Sequence, residues 1–155
     1  WLDDSNVAVI SDKSAFTVNR RGETTSQASY TASDQLGFAF DGDNFVVAVR
    51  SWSGDARASV TRYDKSGDVR ASLNLPSAPE SLSYAGGQLG VLTSSGLYVY
   101  NNALEPDWQC PSAGAAQRII MTDDGGAWLF YSKYAQRITQ SSAISEDFTD
   151  ESTIT

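Results

Sequence analysis

The chain has 155 residues, 41% of them hydrophobic and 19% charged, with a formal net charge of -8 at pH 7 and a pI near 4.3. This is the composition of a globular protein with enough apolar side chains for a core, and it is unlike that of a disordered or low-complexity segment. The acidic charge repels a polyphosphate, and the 11 basic residues are scattered, so we expect no nucleic-acid partner.

The rarest residue types exclude several kinds of chemistry. Histidine is absent and Cys110 is the single cysteine. Without an imidazole or a second thiol, the chain cannot assemble a Ser-His-Asp or Cys-His catalytic system, an imidazole zinc site or an internal disulfide. The phosphate-loop motif is also missing from the sequence. We therefore expect no metal site and no cofactor, and we expect Cys110 to be a small, half-buried strand residue.

No apolar run in the sequence approaches the ~18 residues that span a bilayer. We therefore expect no membrane insertion by this chain. The sequence opens at Trp1 without a methionine, and we expect that an upstream segment, which could carry an export signal or an anchor, has been removed.

Short apolar runs with strand-like alternation recur along the chain, and helical patterning is close to absent. The four strongest runs cover residues 6–11, 44–49, 88–93 and 126–131. A hairpin partner follows each of them, at 15–19, 59–63, 97–100 and 135–139. An earlier strand precedes three of them, at 36–40, 81–84 and 118–121. A last strand closes three of the units, at 25–30, 69–75 and 107–110.

A period near 40 residues with up to four strands per repeat is typical of β-propeller blades. The sequence thus predicts an all-β chain of about 14 strands, in approximate repeats at 1–35, 36–80, 81–117 and 118–140. The first repeat lacks its innermost strand and the last lacks its outermost, so we expect two complete and two partial blades of a larger propeller. Two copies could then associate through open blade faces. A compact closure of the four blades within one chain is the alternative.

The last residues, 141–155, contain four acidic residues and no basic one. By themselves they are typical of a solvated tail. The alternative is that Ile144 or Ile154 pairs with a blade edge, so that this segment supplies the missing outer strand of the last blade. The sequence therefore predicts an acidic C-terminal tail or a closing strand here.

One motif repeats most clearly: an aromatic strand that ends in Tyr-Asp or Tyr-Asn before a polar turn, at 60–68 and 96–102. It resembles the blades of WD40-like and quinoprotein-like propellers. The C-terminal repeats look like the C-terminal part of an uncharacterised propeller family of Gram-positive bacteria, defined as a domain of unknown function, in which a membrane-anchoring helix typically precedes the propeller. That resemblance implies an extracytoplasmic or cell-surface location. The Gly-His and Trp-Asp dipeptides of true WD40 repeats are absent, and no cofactor chemistry follows from the resemblance.

Two acidic turns resemble known motifs. Residues 122–128, Thr-Asp-Asp-Gly-Gly-Ala-Trp, are similar to a degraded Asp-box of sialidase blades, which is a folding element. The simpler interpretation is a β-turn in which Asp caps backbone N–H groups while Trp128 lies in the core between blades. Residues 41–44, Asp-Gly-Asp-Asn, resemble the start of a calcium loop, but the remaining oxygen ligands and the terminal Glu are missing, so we expect a hairpin turn.

The candidate binding residues lie in the loop at 50–57, which is longer than its equivalents in the other repeats. They are Arg50, Trp52, Asp55 and Arg57. A solvent-facing Trp with flanking Arg suits contact with a protein or a carbohydrate. The alternative is that Trp52 folds back onto the blade edge. Trp108, in contrast, is expected in the core.

These observations predict a non-catalytic β-propeller scaffold or binding module whose ligand the sequence does not identify. The alternative is a fragment of a carbohydrate-active enzyme, of the glycosidase or lyase type, whose catalytic acids lie partly in missing blades. The acidic residues of this chain cluster in turns and in the tail, which favours the non-catalytic interpretation.

Overall fold

The structure is a computed structural model that describes residues 2–29, 35–42, 44–52 and 54–143. The chain divides into two compact units, an N-terminal unit over Trp1–Pro79 and a C-terminal unit over Glu80–Thr155. Among the described residues the regular structure is almost entirely β, which confirms the predicted fold class. None of the described helical segments is long and apolar enough to cross a membrane.

The N-terminal unit contains two antiparallel sheets. Sheet 1 has three strands in chain order: β1 (Asn6–Ile10), β2 (Ser14–Asn19) and β3 (Thr24–Ser29). Sheet 2 has four: β4 (Gln35–Asp41), β5 (Asn44–Arg50), β6 (Ala58–Asp64) and β7 (Val69–Leu75). Each strand pairs with its sequence neighbour, as in a β-meander. Their bounds lie within a residue or so of those predicted from the turn and strand patterns.

The C-terminal unit repeats this plan. Sheet 3 consists of β8 (Ser81–Ala85), β9 (Gln88–Thr93), β10 (Gly96–Tyr100) and β11 (Pro106–Cys110). Sheet 4 consists of β12 (Arg118–Met121), β13 (Ala127–Phe130) and β14 (Ala135–Ile138). A short 3-10 helix over Pro111–Ala115, which the strand pattern did not predict, connects the two sheets. The four sheets thus have three, four, four and three strands among the described residues, as predicted.

The same type of hairpin turn recurs in three of the sheets. Asn19 and Asp64 end β2 and β6, and Asn101 directly follows β10. The side-chain oxygen of each accepts two backbone N–H groups of the following turn. A β-bulge precedes each of these residues by one or two positions. Side chains that hydrogen-bond to the backbone in this way replace part of the ladder where the strand must reverse. The Tyr-Asp and Tyr-Asn motif of the sequence therefore marks a structural repeat.

The aromatic half of that motif supplies core residues. Tyr63 and Tyr100 are buried, and burial raises the pKa of both phenols. In the N-terminal unit the Tyr63 ring stacks on Phe45 at a centroid distance of 5.0 Å. Ala15 of sheet 1 and Leu2, which precedes β1, belong to the same cluster. The core of the N-terminal unit thus lies between sheet 1 and one face of sheet 2.

The core of the C-terminal unit lies between sheets 3 and 4. Its largest members are Leu92, Leu97, Val99, Trp108, Ile119, Met121, Leu129 and Ile138. Trp108 belongs to this core, as predicted. Cys110 is fully rather than half buried, because β11 turns its side chain toward the same cluster, and its Sγ lies 3.2 Å from Ser112 Oγ.

The prediction that Trp128 is buried is wrong. Along β13 the small and medium side chains Ala127 and Leu129 face the core, so the strand alternation turns Trp128 and Phe130 outward. Trp128 lies opposite Ile120 of β12, which is also exposed. The near-continuous apolar run at 126–131 therefore contributes side chains to both faces of sheet 4. Of these, only the face that carries Ala127 and Leu129 is covered by described residues.

The structure tests only part of the prediction for the C-terminal tail. Residues 140–143 are helical, and the Ala143 N–H donates to the Thr139 carbonyl at 3.0 Å, so the tail does not begin as a strand. Ile144 and Ile154, the residues proposed for a closing strand, lie outside the described residues. The boundaries of the four repeats stay a prediction.

Candidate binding loop

The hairpin between β5 and β6 has the longest loop of its class in the described sheets. Its closing pair is Arg50 and Ala58, which leaves residues 51–57 as the loop. The equivalent hairpins leave only residues 11–14, 94–95 and 131–134. This loop contains all of Trp52, Asp55 and Arg57, with Arg50 at its base, so the four predicted residues share one feature of the fold.

Trp52 faces solvent rather than the blade edge. Its side chain is 79% exposed, the highest value for a large apolar residue among those described. The Arg50 guanidinium carbon lies 5.4 Å from the centroid of the Trp52 ring, within the range of a cation-π contact. This contact orients an exposed indole without burying it. A large, partly fixed aromatic surface is a typical centre of a protein interface.

The backbone holds the two ends of the loop in place. The Ser51 N–H donates to the Arg57 carbonyl at 3.0 Å, and the Arg57 N–H donates to the Leu75 carbonyl at 2.8 Å. Gly54 supplies the positive φ of 63° that the turn requires. A cavity of about 390 Å³ adjoins the loop and is lined by Gly54, Asp55, Ala56, Asn74, Leu75 and Pro76. The loop therefore presents Trp52 from a fixed base, next to a concave surface.

The acidic turns have structural roles. Asp124 Oδ1 accepts the Gly126 N–H at 3.1 Å, and Oδ2 forms an ion pair with Arg137. The hydrogen bond from Thr122 and the Gly126 amide lower the pKa of Asp124. The turn after Asp41 has Gly42 at a φ of 53°, as expected for a hairpin. Among the described residues, no group of three or more Cys, Asp and Glu side chains is placed to hold a metal ion.

A second feature, which the sequence did not predict, is an apolar groove beside β1 in the N-terminal unit. It is a cavity of about 220 Å³ lined by Leu2, Ala8, Ile10, Phe38, Phe40 and Phe45, and we call it the β1 groove. Phe38 and Phe40 are 50% and 54% exposed, although they lie on an apolar strand. The one sequence signal that points to it is the missing innermost strand of the first repeat.

Comparison with solved structures explains the repeated meander. A scan of family models gave no match, and a search of curated proteins gave none either. Among solved structures, the chain is similar to the C-terminal WD40 domain of Sif2 at 12% identity and a TM-score of 0.66. The alignment covers 90% of this chain and 44% of that one. The sheets are β-propeller blades.

Two further structures support that fold assignment. BamB from Moraxella catarrhalis matches at 17% identity and a TM-score of 0.64, over 89% of this chain and 43% of BamB. HIRA(644-1017) matches at 16% identity and a TM-score of 0.59, over 90% of this chain and 46% of HIRA. The chain thus spans less than half the length of these propellers. At such identities the likeness establishes the fold of the blades and nothing about their ligands.

Proposed function

We propose that this chain is a non-catalytic β-propeller module that binds a partner protein through the loop between β5 and β6. The observation that carries the proposal is the solvent-facing Trp52 held under the Arg50 guanidinium. Trp and Arg are the residues most enriched among interface hot spots, because each combines a large contact area with directed polar interactions. The fixed loop ends lower the entropy that ordering the loop on binding would cost.

The charge distribution favours a partner with acidic groups at the contact. The chain as a whole is acidic, with a net charge of -8, but the loop carries two arginines, Arg50 and Arg57, against one acid, Asp55, and all three are exposed. The Arg50 guanidinium beside the indole, and the Arg57 guanidinium at the other end of the loop, can pair with carboxylates while the ring contacts apolar atoms. We therefore expect the partner to present an acidic and aromatic or aliphatic peptide surface.

Three of the described carboxylates have properties that favour a non-catalytic role. Hydrogen bonds lower the pKa of Asp3 and Asp124, and the pKa of Asp64 is lowered as well. A general acid of a glycosidase needs the opposite, a pKa raised toward neutrality. These three residues are ordinary ionised turn residues, and we do not propose the carbohydrate-active alternative for this chain.

Peptide selection tests the proposal directly. A phage-displayed peptide library is selected against the immobilised chain, and the affinity of the selected peptides is measured by fluorescence anisotropy. We expect Trp52→Ala to weaken binding by roughly tenfold or more, as for an interface hot spot. Tyr134→Ala is the matched control, because Tyr134 is also an exposed aromatic residue and lies in the equivalent hairpin of sheet 4.

Two outcomes would contradict the proposal. The first is that the selected peptides bind Trp52→Ala and the wild type equally well. The second is that no peptide is selected while a glycan array gives binding that depends on Trp52, which would assign the loop to carbohydrate.

Two finer expectations from the sequence also remain proposals. The resemblance to the Gram-positive propeller family supports an extracytoplasmic location. The outward row of Ile120, Trp128 and Phe130 on sheet 4 supports self-association through an open blade face.

A further inference from the structure

We propose that the partner segment bound at the Trp52 loop continues along the outer edge of β7, where it adds to sheet 2 as a fifth strand. This inference rests on the function proposed above and names the conformation and the path of the bound segment. Recognition then comes from backbone hydrogen bonds along the edge as well as from the Trp52 side chain. All residues that carry the argument lie within the N-terminal unit.

β7 is the outermost strand of a four-stranded sheet, and among the described residues it pairs only with β6. It has seven residues, Val69–Leu75, and none of them is proline or lysine. Its one charged residue is Arg70, whose Nε donates to Asp64 Oδ2 at 2.6 Å. The guanidinium is therefore held at the last residue of β6. Long edge strands without proline or guarding charges are templates for the addition of another strand.

The outer strand of sheet 3 is protected in a way that β7 is not. β11 has only five residues, and it begins with Pro106 followed by Asp107. A proline and a charge on a short strand are devices that blunt a sheet edge. The pairing of β7 with β6, in contrast, runs without a shift of register from Ala71 to Leu75. The edge of β7 is thus regular along most of its length.

One hydrogen bond fixes the direction of the backbone groups along β7. The Leu75 carbonyl accepts the Arg57 N–H at 2.8 Å, so the backbone groups of Leu75 point toward β6. Because this direction alternates along an antiparallel strand, those of Leu73 also point toward β6 and those of Ser72 and Asn74 point outward. Ser72 and Asn74 are both exposed. They therefore offer two donors and two acceptors to an added strand.

This edge is continuous with the Trp52 loop. The cavity of about 390 Å³ beside the loop is lined by Gly54, Asp55 and Ala56 of the loop and by Asn74, Leu75 and Pro76 at the end of β7. Asn74 thus belongs both to the open edge and to the cavity. An extended segment that pairs with Ser72 and Asn74 reaches the cavity at its end and the loop beyond it.

The register of sheet 2 predicts the chemistry of the segment. Ser72 lies opposite Thr61, and Asn74 shares its face of the sheet, whereas Leu73 lies opposite Val60 on the other face. Residues directly opposite in neighbouring strands contact each other, so an added strand extends both rows. We expect Thr or Ser opposite Ser72 and Asn74, and a β-branched apolar residue between them.

The partner segment fits this edge better than a second copy of the chain does. Two copies associate most simply about a two-fold axis, with their β7 strands antiparallel. That pairing brings the turn at residues 64–68 of one copy to the loop end of the other. The turn reverses the chain, since the Asp64 N–H donates to the Asp68 carbonyl at 3.0 Å. A second β7 could therefore not run on into the cavity and the loop.

Hydrogen exchange tests the added strand at single residues. The probe is the tightest phage-selected peptide whose binding requires Trp52, added at saturation to the full chain. We expect the amides of Ser72 and Asn74 to exchange rapidly in the free chain and roughly tenfold or more slowly in the complex, because the added strand supplies acceptors. The Leu73 amide, which points toward β6, should change little.

A proline on the edge is the matched variant. Ser72→Pro removes an outward donor and keeps the hydrogen bonds between β6 and β7, because proline is tolerated where the N–H of an edge strand faces solvent. We expect it to weaken peptide binding roughly tenfold or more, whereas Ser72→Ala, which keeps the backbone N–H, should bind as the wild type does. Peptides N-methylated at alternate residues make the same test on the wild-type chain.

The outcomes separate this inference from the proposed function. No added protection at Ser72 and Asn74, unchanged binding of Ser72→Pro and of the N-methylated peptides, or equal losses for Ser72→Pro and Ser72→Ala would overturn the added strand. The loop proposal would stand in these cases if Trp52→Ala still loses binding. Selected peptides that bind Trp52→Ala unchanged, or a selection that yields no peptide, would overturn both.

Two further results would assign the edge to another occupant and so overturn the inference. Protection of the Ser72 and Asn74 amides in the free chain would assign the edge to the chain's own residues. A dimer in sedimentation that Ser72→Pro dissociates would assign it to a second copy.

Discussion

The two compact units contain equivalent strands in different surroundings. In the C-terminal unit, Ile119 and Met121 are almost fully buried, whereas in the N-terminal unit the larger Phe38 and Phe40 are half exposed. Hydrophobicity alone does not explain the difference, because Phe, like Ile and Met, is among the residue types most often buried. It follows from the neighbouring sheet, which has four described strands in one unit and three in the other. In a blade repeat, the preceding blade therefore decides the burial of an innermost strand.

The largest effect that separates the two units should come from truncating one side chain in each. Ile119→Ala should lower the free energy of unfolding by about 2–4 kcal/mol, because it opens a cavity in a packed core. Phe38→Ala removes more atoms but should cost less than about 1 kcal/mol, because half of that ring is already in contact with water. Urea unfolding of both variants, followed by circular dichroism, measures the two free energies.

Equal losses of unfolding free energy for the two variants would mean that Phe38 is covered in solution. That result would contradict the proposed difference between the two units. Phe40→Ala is a second check, since the equivalence predicts the same small loss for it.

A smaller effect concerns the turn that the two units share. Asp64 fills the turn position that Asn19 and Asn101 fill elsewhere, but it also forms an ion pair with Arg70. Burial alone would raise the pKa of Asp64, but hydrogen bonds from Arg70 and from the Asp68 and Ser66 amides outweigh it and lower the pKa. Because the folded pKa is lowered, this residue stabilises the fold above the unfolded pKa of about 3.8 and loses that contribution as pH falls through the folded value.

Asp64→Asn should keep the turn and lose only the exposed ion pair, at a cost of roughly 0.5 kcal/mol at pH 7. Asp64→Ala should lose the turn as well and cost about 1–2 kcal/mol. The difference in unfolding free energy between the wild type and Asp64→Asn should be constant near pH 7 and should narrow as the pH falls below about 3.8 toward the folded pKa. A constant gap between these two proteins over the whole range would contradict the assigned role of the ion pair.

Much of the fold could be predicted from the sequence because each strand is bounded by turn residues with a mechanism. Gly42 and the Asx residues Asp64 and Asn101 mark hairpins, and the bounds of β7, β9 and β12 agree with the prediction to the residue. The side to which Trp128 points could not be predicted, because a run of consecutive apolar residues carries no alternation. The 3-10 helix at Pro111–Ala115 could not be predicted either, because a helix of five residues is too short to show a helical period.

The two candidate sites also differ in how far they could be predicted from the sequence. The Trp52 loop could be found from loop length, a property of the sequence alone. The exposure of Phe38 and Phe40 could not, because their run is as apolar as any buried strand. Among the described residues, β1 has no partner on the edge opposite β2, and this becomes meaningful when the position of β8 in the other unit is known.

Hydrogen exchange at four amides tests the equivalence of the two units most directly. After correction for intrinsic rates, the account predicts that the amides of Ile119 and Met121 exchange at least tenfold more slowly than those of Phe38 and Phe40, and that Ser83→Ala accelerates exchange at Met121. Equal protection of the two pairs would contradict the claim that, among the described residues, no strand covers Phe38 and Phe40 as β8 covers Ile119 and Met121.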